Sequence, residues 1–244
     1  MASHADAWKS ETAVRAYLDG VRAAIPLARE QIDTMLRLIE ASDVPMTSIA
    51  DLGCGDGTLA AALLTRYPTA RATLVDFSAP MLREARARFA GRRDQCEIVA
   101  ADLSQPEWVG AVRRRAPFDA VVSGFAIHHL SDARKRALYV EVLDLLSPGG
   151  FFLNIEHVSS PTPWLTGIFD DLLIDSYYDH HRAAGAEKSR AQIASEYVHR
   201  EDRQANILAS VEDQCAWLRE LGYLDVDCYF KLFELALFGG RKPD

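Results

Sequence analysis

Two periods of hydrophobic residues alternate along the chain. Short apolar runs at 48–53, 72–76, 96–100, 118–124 and 151–156 predict β-strands. Between them, helical spacing predicts helices over 59–66, 79–89, 106–115 and 131–146, with Ser78 and Ser131 placed as N-caps. Strands alternating with helices of this length imply right-handed crossovers and a doubly wound, mostly parallel sheet with helices on both faces. The alternation breaks after the fifth strand: residues 157–210 read as two or three helices. It resumes with a helix at 211–221, closed by Gly222, and an edge pair of strands at 226–230 and 234–239. Ahead of the sheet, Val14, Tyr17, Leu18 and Val21, then Ile32, Met35, Leu36 and Ile39, predict a helix over 11–40 broken near Pro26.

This divides a single domain, 1–244, into four parts. Residues 1–47 form a helical lid, 48–156 a ligand-binding core, 157–210 a helical cap, and 211–244 a final helix with an antiparallel edge. Ligands in such sheets sit at the carboxyl ends of the strands. Asp51, Asp76, Asp102, Gly124 and Glu156 all fall at those ends.

The first strand runs into Asp51-Leu-Gly53-Cys-Gly55-Asp56-Gly57 and then directly into a helix. Gly53 and Gly55 allow a tight turn and a close ligand approach. The spacing is G-x-G-x-G rather than G-x-G-x-x-G, and Asp56 lies inside it. A carboxylate there disfavours pyrophosphate and suits a cationic ligand, or one with an ammonium group. S-adenosylmethionine carries a sulfonium and an amino group and no phosphate. Asp51 can take the amino group, Asp76 both ribose hydroxyls and Asp102 the adenine amino group, with the Leu103 backbone N–H offered to the ring.

Asp51-Leu-Gly-Cys-Gly-Asp-Gly, Asp76-Phe77 and Asp102-Leu103 resemble the class I S-adenosylmethionine-dependent methyltransferase pattern; Phe118 to Leu130 and Leu146-Ser-Pro-Gly-Gly continue it. The resemblance implies a Rossmann-like sheet of seven strands with the last antiparallel, and S-adenosyl-L-homocysteine as product. A longer resemblance, through Arg22 to Pro26, Asp179-His180-His181 and residues 225–240, is to the carboxy-S-adenosylmethionine synthase branch, linked to tRNA wobble-uridine modification. It implies Phe77 and Gly124 in the cofactor pocket, a cap arginine that binds a carboxylate, with Arg200 and Arg203 as candidates, and a homodimer. Leu27 and Ala28 stand where that branch has an aromatic.

Composition narrows the partners. A net charge of −8 gives no general attraction to nucleic acid or anionic membrane. No apolar stretch approaches a membrane span, and the start MASHADAWKSE predicts no signal peptide. Four scattered cysteines read as reduced thiols, so a cytoplasmic location and no metal site are expected. Arg113-Arg114-Arg115 reads as a solvated helix end.

Methyl transfer needs a base only where the acceptor must lose a proton. His128, His129, Glu156 and His157 lie near strand ends, with His129 and His157 favoured as catalytic residues. Tyr178, His181 and Arg182 share a helix face, which places Tyr178 and His181 with the cap arginines as substrate-binding candidates. The expected function is methyl transfer to an O, N or S atom of a small-molecule acceptor. The alternatives are a carboxy-S-adenosylmethionine synthase-like enzyme and a non-catalytic cofactor-binding partner protein.

Overall fold

The computed structural model describes residues 8, 11–16, 18, 24–42, 44–200, 203 and 205–244. Much of the expected lid, Tyr17 and Val21 included, lies outside the described residues. Two lid helices are described, α1 (Glu11–Ala16) and α2 (Ala28–Glu40), and Pro26 sits in the turn before the second.

The core follows the alternation. Strands β1 (Ser48–Leu52), β2 (Arg71–Asp76), β3 (Cys96–Ala100) and β4 (Phe118–Gly124) are linked by α3 (Thr58–Arg66), α4 (Ala79–Arg88) and α5 (Trp108–Val112). Helix α6 (Asp132–Leu145) leads to β5 (Leu146–His157). The cap holds α7 (Pro163–Ala183) and α8 (Arg190–Val198); α9 (Val211–Glu220), β6 (Leu224–Leu232) and β7 (Leu235–Arg241) close the chain. The sheet order is β3-β2-β1-β4-β5-β7-β6, and β7 runs antiparallel to both neighbours. The order reverses between β1 and β4, the place where such sheets open a ligand crevice.

Local chemistry sets the boundaries. Ser78 accepts from the Met81 amide and Pro80 occupies the first turn of α4, fixing the chain after Asp76. Ser131 caps α6 in the same way. Gly222 takes φ 93° after α9, a conformation that glycine adopts without strain. Strand β5 begins five residues earlier than its apolar run predicts. Leu146 pairs with Phe118, and Ser147–Gly150 form a bulge before regular pairing resumes at Phe151. Gly150 packs within 2.9–3.1 Å of carbonyl oxygens at its Cβ position, so the bulge has no room for a side chain. Asp119 is structural: its carboxylate accepts from the Thr47 and Ser48 amides and from the Ser147 hydroxyl.

Each face of the sheet has its own apolar core. Tyr139, Phe152, Leu218 and Phe238 belong to one; Met35, Leu63, Leu74 and Leu153 to the other. A third cluster, Phe169, Leu173, Ile174, Tyr177, Ile193, Tyr197 and Leu235, with Ala24, holds the cap together over the strand ends. Burying each such side chain contributes roughly 1.5–3 kcal/mol. The cap is therefore a packed element, joined to the sheet through Leu235 of β7. Among the described residues no helix is long and apolar enough to cross a membrane.

Candidate active site

A cavity of about 430 Å³ opens at the carboxyl ends of β1, β2, β3 and β4. Asp51, Gly53, Gly55, Asp76, Phe77, Asp102, Leu103 and Gly124 all line it. Gly53, Gly55 and Gly57 take φ of 63°, 55° and 81°, so the turn needs left-handed backbone three times in five residues. A Cβ on Gly53 would lie 2.1 Å from the Ala126 Cβ.

The carboxylates are held by backbone amides. Asp51 Oδ2 accepts from the Ala60 amide at 3.0 Å and so occupies the first turn of α3. That helix end is the usual seat of a phosphate, and here it already holds an anion. Asp76 accepts from the Gly55 amide at 2.9 Å and the Ser78 amide at 2.8 Å. Burial pushes its carboxyl above the ordinary aspartate range, and those amide bonds oppose the shift. Asp102 accepts from the Ser104 amide at 2.8 Å. Among the described residues, three aspartates and no lysine or arginine line the cavity.

Asp56 behaves differently from expectation. Its carboxylate pairs with Arg88 and accepts from the Thr58 hydroxyl, and it does not line the cavity. The argument against a pyrophosphate ligand therefore rests on Asp51, not on Asp56.

A second, smaller cavity lies beneath the cap. Ile25, His128, His157, Phe169, Leu173, Tyr177, Tyr197, Arg200, Arg203 and Asn206 are among its lining residues. Trp8 and Phe125 line both cavities, so the two adjoin. Phe125 holds φ 52°, unusual for a bulky residue, and its amide donates to the Ile155 carbonyl at 2.8 Å.

Glu156, at the end of β5, organises the floor. It accepts from the His128 amide at 3.0 Å and the His157 amide at 2.8 Å, and hydrogen-bonds His128 Nδ1. Burial pushes its carboxyl up to about 7, against the pull of those partners. The rings continue as a row: His129 lies 3.9 Å from His128, and His157 lies 5.9 Å from it, centroid to centroid. His157 Nε2 meets Glu234 at 2.8 Å, and Thr166 donates to the same carboxylate. Burial opposes ionisation of Glu234, but the His157, Ser160 and Thr166 hydrogen bonds hold it below the usual glutamate range.

Comparison with known proteins agrees with the fold. Residues 49–150 match a family described as a methyltransferase domain. An uncharacterized methyltransferase of Mycobacterium tuberculosis (strain ATCC 25618 / H37Rv) is 41% identical over 114 residues, 46% of this chain and 51% of the relative. The chain thus spans about half the length of that relative. A carboxy-S-adenosyl-L-methionine synthase of Aeromonas hydrophila subsp. hydrophila is 27% identical over 230 residues, covering 91% of this chain and 85% of the relative. A solved O-methyltransferase family protein from Burkholderia thailandensis superposes with a TM-score of 0.66 at 17% identity, over 99% of this chain and 63% of that one. Over residues 49–150 the chain is thus similar to a methyltransferase domain, and over nearly its whole length it has the fold of a solved O-methyltransferase family protein.

Within the methyltransferase frame, the expected catalytic pair is divided. His129 lines the core cavity, while His157 lines the cap cavity. The residue between them, His128, faces the cap cavity with Glu156 behind it. Arg200 and Arg203 line the same cavity. Arg200 donates to the Tyr177 hydroxyl at 3.1 Å; Arg203 pairs with Asp170 at 2.7 Å and lies over the Tyr197 ring. Tyr178 and His181 line neither cavity: Tyr178 meets Arg182, and His181 meets His180. The inward face of α7 is Phe169, Leu173 and Tyr177, four residues apart. That apolar spacing was the available signal, and the Tyr178–His181–Arg182 face lies beside it. Trp8 and Asn206 carried no sequence signal, and Phe125 lay in the Phe118 to Leu130 stretch without being singled out.

Proposed function

We propose that this chain transfers a methyl group from S-adenosylmethionine to an O, N or S atom of a small acceptor held under the cap. The observation that carries the reading is the pair of adjoining cavities at the switch point. One has three aspartates and no lysine or arginine among its described lining; the other is lined by a buried histidine, His128, that is hydrogen-bonded to Glu156.

The core cavity fits the cofactor on its own chemistry. The Asp51 carboxylate stands where a phosphate would otherwise dock and suits an amino group. Asp76 is held by two amides in a position to accept two hydroxyls. Phe77, Met81 and Leu103 supply apolar walls for a base. When bound, S-adenosylmethionine supplies an electrophilic methyl on a sulfonium, so the protein need only position the nucleophile and manage its proton. His128 is placed to take that proton, and ionised Glu156 at Nδ1 stabilises the imidazolium that results. Phe169, Leu173, Tyr177 and Tyr197 keep water from the acceptor side.

Calorimetry with S-adenosylmethionine and S-adenosylhomocysteine tests the cofactor half. An acceptor screen that follows S-adenosylhomocysteine release tests the reaction. No binding at millimolar ligand sinks both.

A second reading has a specific observation behind it. The Aeromonas relative aligns over nearly the whole chain, and Arg200 and Arg203 lie in the cap cavity. A carboxylated sulfonium released from purified protein, identified by mass spectrometry, would replace the first reading with this one. The parent cofactor, or its demethylated product, supports the first.

A further inference from the structure

At the opposite end of the sheet lies a hollow of about 480 Å³ that methyl transfer does not use. It is formed by the first residues of β1, β2 and β3 and by the turn after α5. Arg71 opens β2 and Asp76 closes it, which puts roughly 17 Å between this hollow and the cofactor cavity. Four arginines line the hollow, Arg71, Arg93, Arg114 and Arg115, against two carboxylates, Asp94 and Glu97. Arg114 and Arg115 both hold Glu97. Among the described residues, Arg71 and Arg93 meet no carboxylate. The lining therefore has an excess of positive charge in a chain whose net charge is −8.

We propose that this hollow binds a small phosphorylated anion, a phosphate monoester or pyrophosphate group, through Arg71 and Arg93. A guanidinium presents a planar fork of donors that matches phosphate oxygens two at a time. Glu97 fixes the Arg114 and Arg115 side of the hollow, and each of those guanidinium groups keeps further N–H donors. The Ser48 and Thr73 side chains complete a polar lining. A small anion fits better than a nucleic acid. The basic charge is confined to one concave spot, and the acidic remainder of the protein repels an extended polyanion.

Calorimetry with inorganic pyrophosphate, with inorganic phosphate, and with a short single-stranded RNA tests this on the full chain. Pyrophosphate is expected to bind wild type in a salt-sensitive way and to lose about tenfold or more in affinity in R71A/R93A. S-adenosylhomocysteine should bind that variant as it binds wild type, which shows that the variant is folded. Should the double variant unfold, R93A alone carries the test, because Arg93 is an exposed loop residue. No binding of pyrophosphate to wild type overturns the proposal, as does binding that R71A/R93A leaves unchanged. RNA bound more tightly than pyrophosphate overturns it in favour of a nucleic-acid contact.

Discussion

The core cavity and the cap cavity adjoin at Trp8 and Phe125 but are built by different means. In the core cavity, the carboxylates are held by main-chain amides at strand ends: Asp51 by Ala60, Asp76 by Gly55 and Ser78, and Asp102 by Ser104. In the cap cavity, much of the polar machinery is held by other side chains: His128 by Glu156, His157 by Glu234, Arg203 by Asp170 and Arg200 by Tyr177. Backbone-held groups move only if the local backbone moves. Groups held by side chains are re-aimed by single substitutions. On the proposed reading, one core can therefore keep its cofactor while the cap changes its acceptor.

The strongest way to break this comparison is in the core. G53V places a branched side chain at φ 63°, on a site already 2.1 Å from Ala126. S-adenosylhomocysteine affinity should fall by about 100-fold or more in calorimetry, and D76N should follow it closely through lost hydroxyl acceptance. The cap should tolerate its own substitutions without loss of the cofactor. H128A should lower the turnover of an identified acceptor by about 10²–10⁴-fold while leaving S-adenosylhomocysteine affinity within about twofold.

Glu156 sharpens the comparison through pH. Its folded carboxyl titrates near 7, above the ordinary glutamate range, because it is buried. Between the unfolded and folded values the unfolded chain has lost this proton and the folded chain keeps it. This contribution therefore favours the fold at low pH and is lost as pH rises towards 7, by up to about 3 kcal/mol. Denaturant midpoints from pH 4.5 to 7.5 should fall less steeply in E156Q than in wild type. If Glu156 supports His128 in its ionised form, turnover should rise through the same window.

The smallest effect belongs to D56N. Asp56 faces Arg88 and Thr58 rather than the cavity, so the cost falls on stability, about 1–3 kcal/mol in a denaturation curve, with cofactor affinity nearly unchanged. A large loss of S-adenosylhomocysteine binding would return Asp56 to the site.

The order of strands and helices and the acidic strand ends were legible in the sequence because a doubly wound sheet ties ligand position to strand position. Once 48–53 and 72–76 read as adjacent parallel strands, Asp51 and Asp76 had to meet at their carboxyl ends, and all eight expected cofactor residues line one cavity. The glycine turn was legible for a related reason, since only glycine accepts that backbone freely. The cap was not readable in this way. Whether Tyr177 or Tyr178 faces inward depends on which side of α7 packs against Ile193, Tyr197 and Leu235, and those partners lie 16 to 58 residues further along the chain. The pairing of His128 with Glu156 required two strand ends to be laid side by side. The sequence thus determined what its local periods and backbone constraints encode: the fold, the switch point and the carboxylates that line the core cavity. Only the tertiary structure decided how the cap's side chains meet, because those contacts join residues far apart in the chain through packing that no local pattern specifies.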